Sequence, residues 1–295
     1  MPSTPADAMA PCANFFESQR LRLHYAEWGD SQARPLLLLH GGRDHCRNWD
    51  WVAERLCADW HVIAPDLRGH GDSQWCPSGT YTYDAYLWDL LALVEHLGID
   101  RASIIGHSLG GNIALRFAAA FPERVCQLVC IEGLGTSPDE VERTYAAPYS
   151  QRLRENALYR QRLLSRPRQG YTTLEQALKH YHKRNPSLTA TQARHLVNHG
   201  LRQLDDGHYT WKFDDLSRKP SQTCASESEI LQLIESVECP VLLPWGGRSF
   251  FSLEENRERI SAFADARVRL YPEAGHWPHH MVLDGFVEDV MAFLR

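Results

Sequence analysis

The sequence predicts an α/β fold in which a mainly parallel, twisted sheet is flanked by helices. Short apolar runs alternate with segments of helical periodicity, which is the pattern of strands joined by crossover helices. The chain has 295 residues, of which 43% are apolar, enough to bury one large core. The alternation is interrupted once, so we predict a core at 1–136 and 226–295 and an insertion at 137–225.

The predicted elements of the core follow one another in a regular order. Strands before the insertion are predicted at Leu21–Trp28, Pro35–Leu39, His61–Pro65, Ala102–Gly106 and Cys126–Glu132. Helices between these strands are predicted at Trp49–Cys57, Tyr83–Leu97 and Leu109–Phe121. After the insertion the pattern predicts a helix near Glu227–Val237, a strand at Val241–Trp245, a helix from Leu253, a strand at Arg267–Tyr271 and a closing helix that reaches Leu294.

The insertion differs from the core in composition and charge. It is rich in Arg, His, Tyr and Gln, and its apolar residues recur with helical but not strand-like spacing. It contains 15 Lys and Arg against 9 Asp and Glu, a charge of +6, whereas the remainder carries 16 against 28, a charge of −12. We therefore predict a helical insertion with a basic balance.

Bulk composition limits the function classes. The net charge of −6 argues against a general affinity for nucleic acid. The first residues lack a basic segment followed by an apolar one, and no later segment reaches about eighteen uninterrupted apolar residues. Eight cysteines without a CxxC spacing favour neither a disulfide framework nor a zinc site. The sequence predicts a soluble, cytoplasmic protein without a membrane span, and it leaves the oligomeric state open.

The most specific motif is GHSLGG at 106–111, which lies between a predicted strand and a predicted helix. It matches the G-x-S-x-G nucleophile elbow in the strand, turn and helix context that this motif requires. In so sharp a turn, side chains two positions on either side of the serine would collide, so glycine is needed at 106 and 110. We predict that Ser108 is a nucleophile. The simpler alternative is an ordinary glycine-rich turn.

Three further motifs extend this match: His40-Gly41-Gly42 after one strand, 66–73 after the next, and Gly275-His276 near the C-terminus. Together with the elbow they resemble the α/β-hydrolase superfamily over nearly all of the chain outside the insertion. The resemblance implies the α/β-hydrolase fold with a helical cap inserted after the sixth strand. Within the insertion, Arg184-Asn185-Pro186 and 206–214 are similar to the cap of the serine-hydrolase-like branch.

The resemblance also implies roles for individual residues. His276 corresponds to the general base, because the histidine comes last in the chain in this family, and His279 and His280 are the alternatives. The backbone N–H groups of Gly42 and Leu109 correspond to the oxyanion hole. A glycine-rich turn without a catalytic role is the alternative for Gly42. The resemblance implies no cofactor and no metal.

The acid of the triad is the position at which this sequence departs from the commonest family pattern. That pattern has an aspartate in W-G-x-x-D after a strand, whereas this chain reads WGGRS at 245–249. Some relatives carry the acid at the end of the strand that follows the nucleophile helix, and here that strand ends in Glu132. We predict that Glu132 receives the Nδ1 proton of His276. The alternatives are Glu254 or Glu255, or a Glu132 side chain that points to solvent.

These residues predict a serine hydrolase that cleaves a carboxylic ester, thioester or related acyl substrate through an acyl-serine intermediate. The Tyr, Trp and Leu residues of the insertion favour a substrate with an apolar acyl part, although such residues also simply hold a small lid together. The basic balance of the insertion favours an anionic substrate, with a solvated helical face as the simpler explanation. A second hypothesis is a ligand-binding protein that keeps the fold and turns over slowly or not at all, motivated by the irregular acid position.

Overall fold

A computed structural model describes residues 11–168, 170–218 and 225–295. The described strands are β1 (Cys12–Ser18), β2 (Leu21–Trp28), β3 (Arg34–Leu39), β4 (Trp60–Pro65), β5 (Ala102–His107), β6 (Val125–Ile131), β7 (Gly170–Tyr171), β8 (Leu201–Gln203), β9 (Tyr209–Trp211), β10 (Val241–Gly246) and β11 (Ala266–Tyr271). Eight of them form the central sheet in the order β1-β2-β4-β3-β5-β6-β10-β11. The three strands β7, β9 and β8 form a separate antiparallel sheet.

The central sheet is mainly parallel, as the sequence predicts. Only the pairs that involve β2 are antiparallel among its described pairings. The sequence pattern missed β1, which forms a hairpin with β2. Its two-residue turn consists of Gln19 and Arg20, which have φ values of 49° and 66°. Because hairpin turns with positive φ are usually recognised by Gly, Asn or Asp, these two residues give no turn signal in the sequence.

The described helices are α1 (Asp50–Leu56), α2 (Tyr83–His96), α3 (Leu109–Ala120), α4 (Pro138–Ala146), α5 (Tyr149–Ser165), α6 (Leu174–Arg184), α7 (Ala190–Gly200), α8 (Glu227–Glu235), α9 (Arg257–Ser261), α10 (Pro278–Met281) and α11 (Leu283–Leu294). They cover both faces of the central sheet, which leaves two apolar layers. Leu37 and Leu39 of β3 pack in the layer with α2, α3 and α8, whereas Leu36 and Leu38 pack in the layer with α1 and α11. A run of apolar residues without polar alternation is therefore a strand buried on both faces.

The insertion between β6 and β10 contains the predicted helices, α4 to α7, together with the small sheet of β7, β9 and β8. The expected absence of strands in this segment is wrong, because strands of two or three residues are too short to show a period of two. Helix α7 contacts the core directly: Leu196 O accepts a hydrogen bond from His45 Nε2 at 3.0 Å. None of the helices described in this chain is long and apolar enough to cross a membrane.

The turn between β5 and α3 brings three backbone segments into direct contact. A Cβ atom on Gly106 would lie 2.6 Å from the carbonyl carbon of Gly110, within the turn itself. A Cβ atom on Gly110 would lie 2.6 Å from the carbonyl oxygen of His40 and closer still to that of Leu39. Glycine at both positions therefore lets α3 start directly above the ends of β3 and β5.

We predict that Gly110→Ala destabilises the fold by about 1–3 kcal/mol, because the new methyl group meets backbone that cannot rotate away. Gly285→Ala is the matched control: this glycine lies in α11, and a Cβ atom added there would meet nothing within 4 Å. Alanine at 285 should therefore stabilise the helix by up to about 1 kcal/mol. Urea unfolding of both variants measures the difference. Equal stability of the two variants would contradict the close approach at Gly110.

Candidate active site

The predicted site residues, and Ser249 at the usual acid position, follow neighbouring strands of the central sheet. Gly42 lies after β3, Ser108 after β5, Glu132 after β6, Ser249 after β10 and His276 after β11. These five strands are consecutive in the sheet and parallel to one another. Ligand sites of open α/β sheets lie outside the carboxyl ends of the strands, and the sheet order brings all five residues to that edge.

Ser108 occupies the sharp turn between β5 and α3. Its φ of 51° and ψ of −111° lie in a region that L-residues rarely adopt, at a cost of about 1–3 kcal/mol. The Ser108 N–H donates to Ile131 O at 2.8 Å, which ties the turn to the end of β6, and Ser108 O accepts from Asn112 N at 2.9 Å. The strained residue is therefore fixed at the N-terminus of α3, where the helix dipole favours negative charge.

The structure brings His276 and Glu132 together in the protein interior. Nδ1 of His276 lies 2.6 Å from Oε2 of Glu132, and the two residues are 7% and 2% exposed. Because the carboxylate can only accept, this hydrogen bond assigns the proton to Nδ1 and leaves Nε2 as the basic nitrogen. Glu132 itself has a φ of 45°, so the chain turns sharply where β6 ends and directs the carboxylate inwards.

Two further donors hold the Glu132 carboxylate. Oε2 accepts a second hydrogen bond from Ser249 Oγ at 2.6 Å, and Oε1 accepts from Gly246 N at 2.8 Å. Ser249, which stands where the commonest family pattern has an aspartate, thus contacts the carboxylate of Glu132. Sequence reasoning did not anticipate this contact, since a serine gives no signal of its own for a partner 117 positions away in the chain.

Aromatic rings surround the imidazole of His276. The ring centroids of Phe250, Phe251 and Trp277 lie 4.6, 5.2 and 5.1 Å from that of His276. Phe250 is nevertheless 73% exposed, so it covers the imidazole from the solvent side. Among the described contacts, Ser108 Oγ and His276 Nε2 are not hydrogen-bonded to each other; catalytic hydrogen bonds of this kind often tighten only when substrate binds.

The loop after β3 lies beside the nucleophile turn. A Cβ atom on Gly41 would lie 3.6 Å from Ser108 Cβ, and one on Gly42 would lie 3.8 Å from Leu109 Cδ2. Leu109 is the first residue of α3, a position whose N–H has no acceptor within its own helix. The two backbone segments predicted to supply oxyanion donors are therefore neighbours.

Several buried histidines surround these residues and are held neutral. His107 Nε2 donates to the carbonyl oxygen of His276 at 2.8 Å. Burial, and secondly the charge of His276, lowers the pKa of His107 well below its usual value. Burial likewise lowers the pKa of His40 and His45 to about 4, and that of His280 to about 3. A neutral, desolvated surrounding strengthens electrostatic interactions within the site.

Two groups of side chains place three potential metal-ligand atoms within 4.8 Å of one another: His24, Cys46 and Asp66, and Asp50, His195 and His199. In the first group Asp66 accepts from the ring of His24 and from backbone N–H groups of the core. In the second, Arg47 forms a bidentate ion pair with Asp50 at 2.6–2.9 Å. Both carboxylates thus already have partners within the protein.

Comparison with known proteins identifies the family. A family model described as the α/β-hydrolase fold matches residues 34–280. The chain belongs to the α/β-hydrolase family. The superfamily and fold predicted from the motifs are thereby confirmed.

Three similar proteins illustrate the range of this α/β-hydrolase family. A "serine hydrolase-like protein" of Danio rerio is 34% identical over 61% of this chain, and the match spans 55% of the relative's length. An esterase of Mycobacterium tuberculosis is 26% identical over 84% of this chain and 78% of its own. The crystal structure of a thioesterase domain from the curacin biosynthetic pathway superposes with a TM-score of 0.83 at 20% identity, covering 96% and 99% of the two chains. This last likeness concerns the fold alone.

We predict that this α/β-hydrolase family member loses a few kcal/mol of stability between pH 7.5 and 5.5. His40, His45, His70 and His280 have pKa values of about 3–4 in the fold because burial disfavours their charged form. Below about pH 6.5 the unfolded chain therefore binds more protons than the folded protein. The free energy of unfolding then falls by about 1.4 kcal/mol per pH unit for each of these histidines. Burial raises the pKa of Asp44 to about 7, so the folded protein itself binds one proton in this range and offsets the effect of one histidine.

Urea unfolding at several pH values measures this slope, and two variants test its origin. His280→Leu removes one buried titrating group and should reduce the slope of stability against pH by the equivalent of up to one proton. His208→Gln, at an exposed position, should leave the slope as it is. A stability that stays constant from pH 7.5 to 5.5 would contradict the neutral state of these histidines.

Proposed function

We propose that this protein is a serine hydrolase that cleaves a carboxylic ester, thioester or related acyl bond. The observation that carries the proposal is the buried 2.6 Å hydrogen bond between His276 Nδ1 and Glu132 Oε2. A buried carboxylate that directs an imidazole, at the same sheet edge as a strained serine, has the arrangement of a catalytic triad. The family membership and the esterase among the similar proteins support hydrolase chemistry.

The proposed reaction has two halves. Ser108 Oγ attacks the substrate carbonyl while His276 Nε2 takes its proton, and the N–H groups of Gly42 and Leu109 stabilise the oxyanion of the tetrahedral intermediate. His276 then returns the proton to the leaving group, and Ser108 remains acylated. Water, deprotonated by the same imidazole, releases the acid and regenerates the serine. The charge of Glu132 stabilises the imidazolium in both halves.

Ser249 and Gly246 act on this reaction only through Glu132. Their hydrogen bonds occupy one lone pair on each carboxylate oxygen and fix the plane of the carboxylate. A serine hydroxyl orients a neighbour but supplies no charge, so the electrostatic contribution must come from Glu132. This arrangement supports a relocation of the acid from the strand β10 position to the end of β6.

We infer that the insertion, predicted at 137–225, acts as a cap over this edge of the sheet. Its residues Tyr181, Trp211 and Phe213 line a pocket against the loop that follows Gly42. These aromatic side chains favour an apolar acyl part in the substrate. Turnover of p-nitrophenyl esters of rising chain length, with thioesters and lactones alongside, would identify the acyl class.

The competing hypothesis is a ligand-binding protein that does not turn over. This hypothesis is motivated by Ser249 at the usual acid position. The hydrogen bond between His276 and Glu132 supports Glu132 as the acid and so weakens this motivation. A fluorophosphonate probe separates the two hypotheses, because an activated serine is labelled rapidly and an idle one is not.

We predict that Ser108→Ala abolishes ester hydrolysis and leaves the stability of the fold nearly unchanged, because the Oγ lies on a turn and fills no core cavity. His276→Ala should reduce kcat by a comparable factor, about 10³ or more, since nucleophile and base act as one unit. The double variant should be no worse than either single variant. A loss smaller than tenfold in Ser108→Ala, or additive losses in the double variant, would overturn this mechanism.

We predict that Glu132→Gln lowers kcat by about 10³–10⁴-fold, because the amide removes the charge and presents a donor to a nitrogen that must itself donate. Ser249→Ala serves as the matched comparison: it removes a hydrogen bond to the same oxygen but keeps the charge, so its loss should be far smaller. Steady-state kinetics of both variants on one ester measures the difference. Nearly full activity of Glu132→Gln would refute the relocated acid.

A further inference from the structure

A pocket between the core and the insertion combines aromatic walls with positive charge. Arg43 and Asp44 contribute to it from the loop after β3. Tyr181, Trp211 and Phe213 line it from the insertion, together with Lys212. Since Arg43 directly follows Gly42, this pocket begins one residue beyond a proposed oxyanion donor.

Arg43 combines a left-handed backbone conformation with cationic neighbours. Its φ of 65° lies in a region that is unfavourable for a residue with a long side chain. Its side chain is exposed, and within the described part of the chain its guanidinium forms no ion pair. Partial desolvation, and secondly the charges of Arg218 and Arg184, lowers the pKa of Arg43. Its principal charged neighbours are therefore cations that repel it.

The remaining charges do not neutralise this group. Lys212 is paired with Asp72 at 2.7 Å, and Arg218 with Asp215 at 2.7 Å, so these two cations already have partners. Arg184, exposed at the end of α6, has no ion pair among the described residues.

Asp44 is the carboxylate nearest to Arg43 in the chain, and it is already engaged. It accepts hydrogen bonds from His45 N at 2.9 Å and from the Asn48 side chain. Burial raises the pKa of Asp44 to about 7, which leaves it partly protonated at neutral pH. Arg43 is thus a cation of the pocket lining without an ion-pair partner among the described residues.

We propose that Arg43 binds an anionic group of the substrate, a carboxylate or a phosphate, that lies at a distance from the scissile carbonyl. A guanidinium presents paired N–H donors that match the two oxygens of such a group. This inference rests on the proposed hydrolase function and narrows its substrate class to anionic acyl compounds.

The experiment compares two pairs of substrates that differ in charge. The first pair is p-nitrophenyl hexanoate and the mono-p-nitrophenyl ester of adipic acid, which adds a carboxylate at the far end of the same six-carbon acyl chain. The second pair is hexanoyl N-acetylcysteamine and hexanoyl coenzyme A, which adds phosphates to the leaving group. We expect kcat/KM at least about tenfold higher for the charged member of one pair. The pair that shows the preference identifies the source of the oxyanion.

Variants of Arg43 then test whether this residue causes the preference for the charged substrate. Arg43→Gln should lower kcat/KM for the charged substrate at least about tenfold, mainly through KM, and affect the neutral partner far less. Arg43→Lys should retain part of the preference. Arg55→Gln is the matched control, because Arg55 of α1 is paired with Asp284 of α11 and is not among the residues that line the pocket. Urea midpoints of the variants verify that each one folds.

The outcomes separate this inference from the function on which it rests. Hydrolysis of both members of each pair at similar rates would overturn the inference and leave the proposed hydrolase function standing. A preference for the charged substrate that persists in Arg43→Gln would show that Arg43 does not bind the anion. If no substrate is hydrolysed and no fluorophosphonate label is attached, the proposed function fails. Calorimetric binding of adipamate against hexanamide to Ser108→Ala, with and without Arg43→Gln, would still decide the anion site.

Discussion

The buried carboxylate of Glu132 is the constraint on which the arrangement of the site depends. An ionised carboxylate in the interior is tolerated only if its oxygens are hydrogen-bonded. Here three donors satisfy it: His276 Nδ1, Ser249 Oγ and Gly246 N, at 2.6, 2.6 and 2.8 Å. These donors belong to β10 and to the loops that follow β10 and β11, so a single carboxylate at the end of β6 joins three neighbouring strands.

The sheet order bears on the proposed relocation of the acid. The strands β6 and β10 are adjacent, and β11, which precedes the loop of His276, lies next to β10. Glu132 at the end of β6 reaches Nδ1 of His276 from this position. In this chain the longer side chain of glutamate extends from β6, and Ser249 at the neighbouring position donates to it rather than competing for the histidine.

Close packing of the loops at this edge of the sheet accounts for the neutral histidines around the site. The close approach of β3, β5 and α3, which glycine at 106 and 110 permits, leaves little room for water between these loops. Imidazoles buried there lose hydration in their charged form and remain neutral near pH 7. Arg43 lies at the outer margin of this region, where a cation is still accessible to a charged ligand.

Local patterns in the sequence determined the fold class, the positions of most central strands along the chain and the position of the glycine-flanked turn at Ser108. Burial on both faces makes a parallel strand a continuous apolar run, and the elbow requires glycine at fixed offsets, so both are visible within a few residues. The hairpin of β1 with β2 and the small sheet of the insertion left no such pattern, because their turns and strands are short and chemically ordinary. Only the tertiary structure decided that Ser249 and Gly246 share the Glu132 carboxylate with His276, and which residues lie around Arg43. The residues that share this carboxylate lie up to 144 positions from Glu132, and chain packing alone determines their distances.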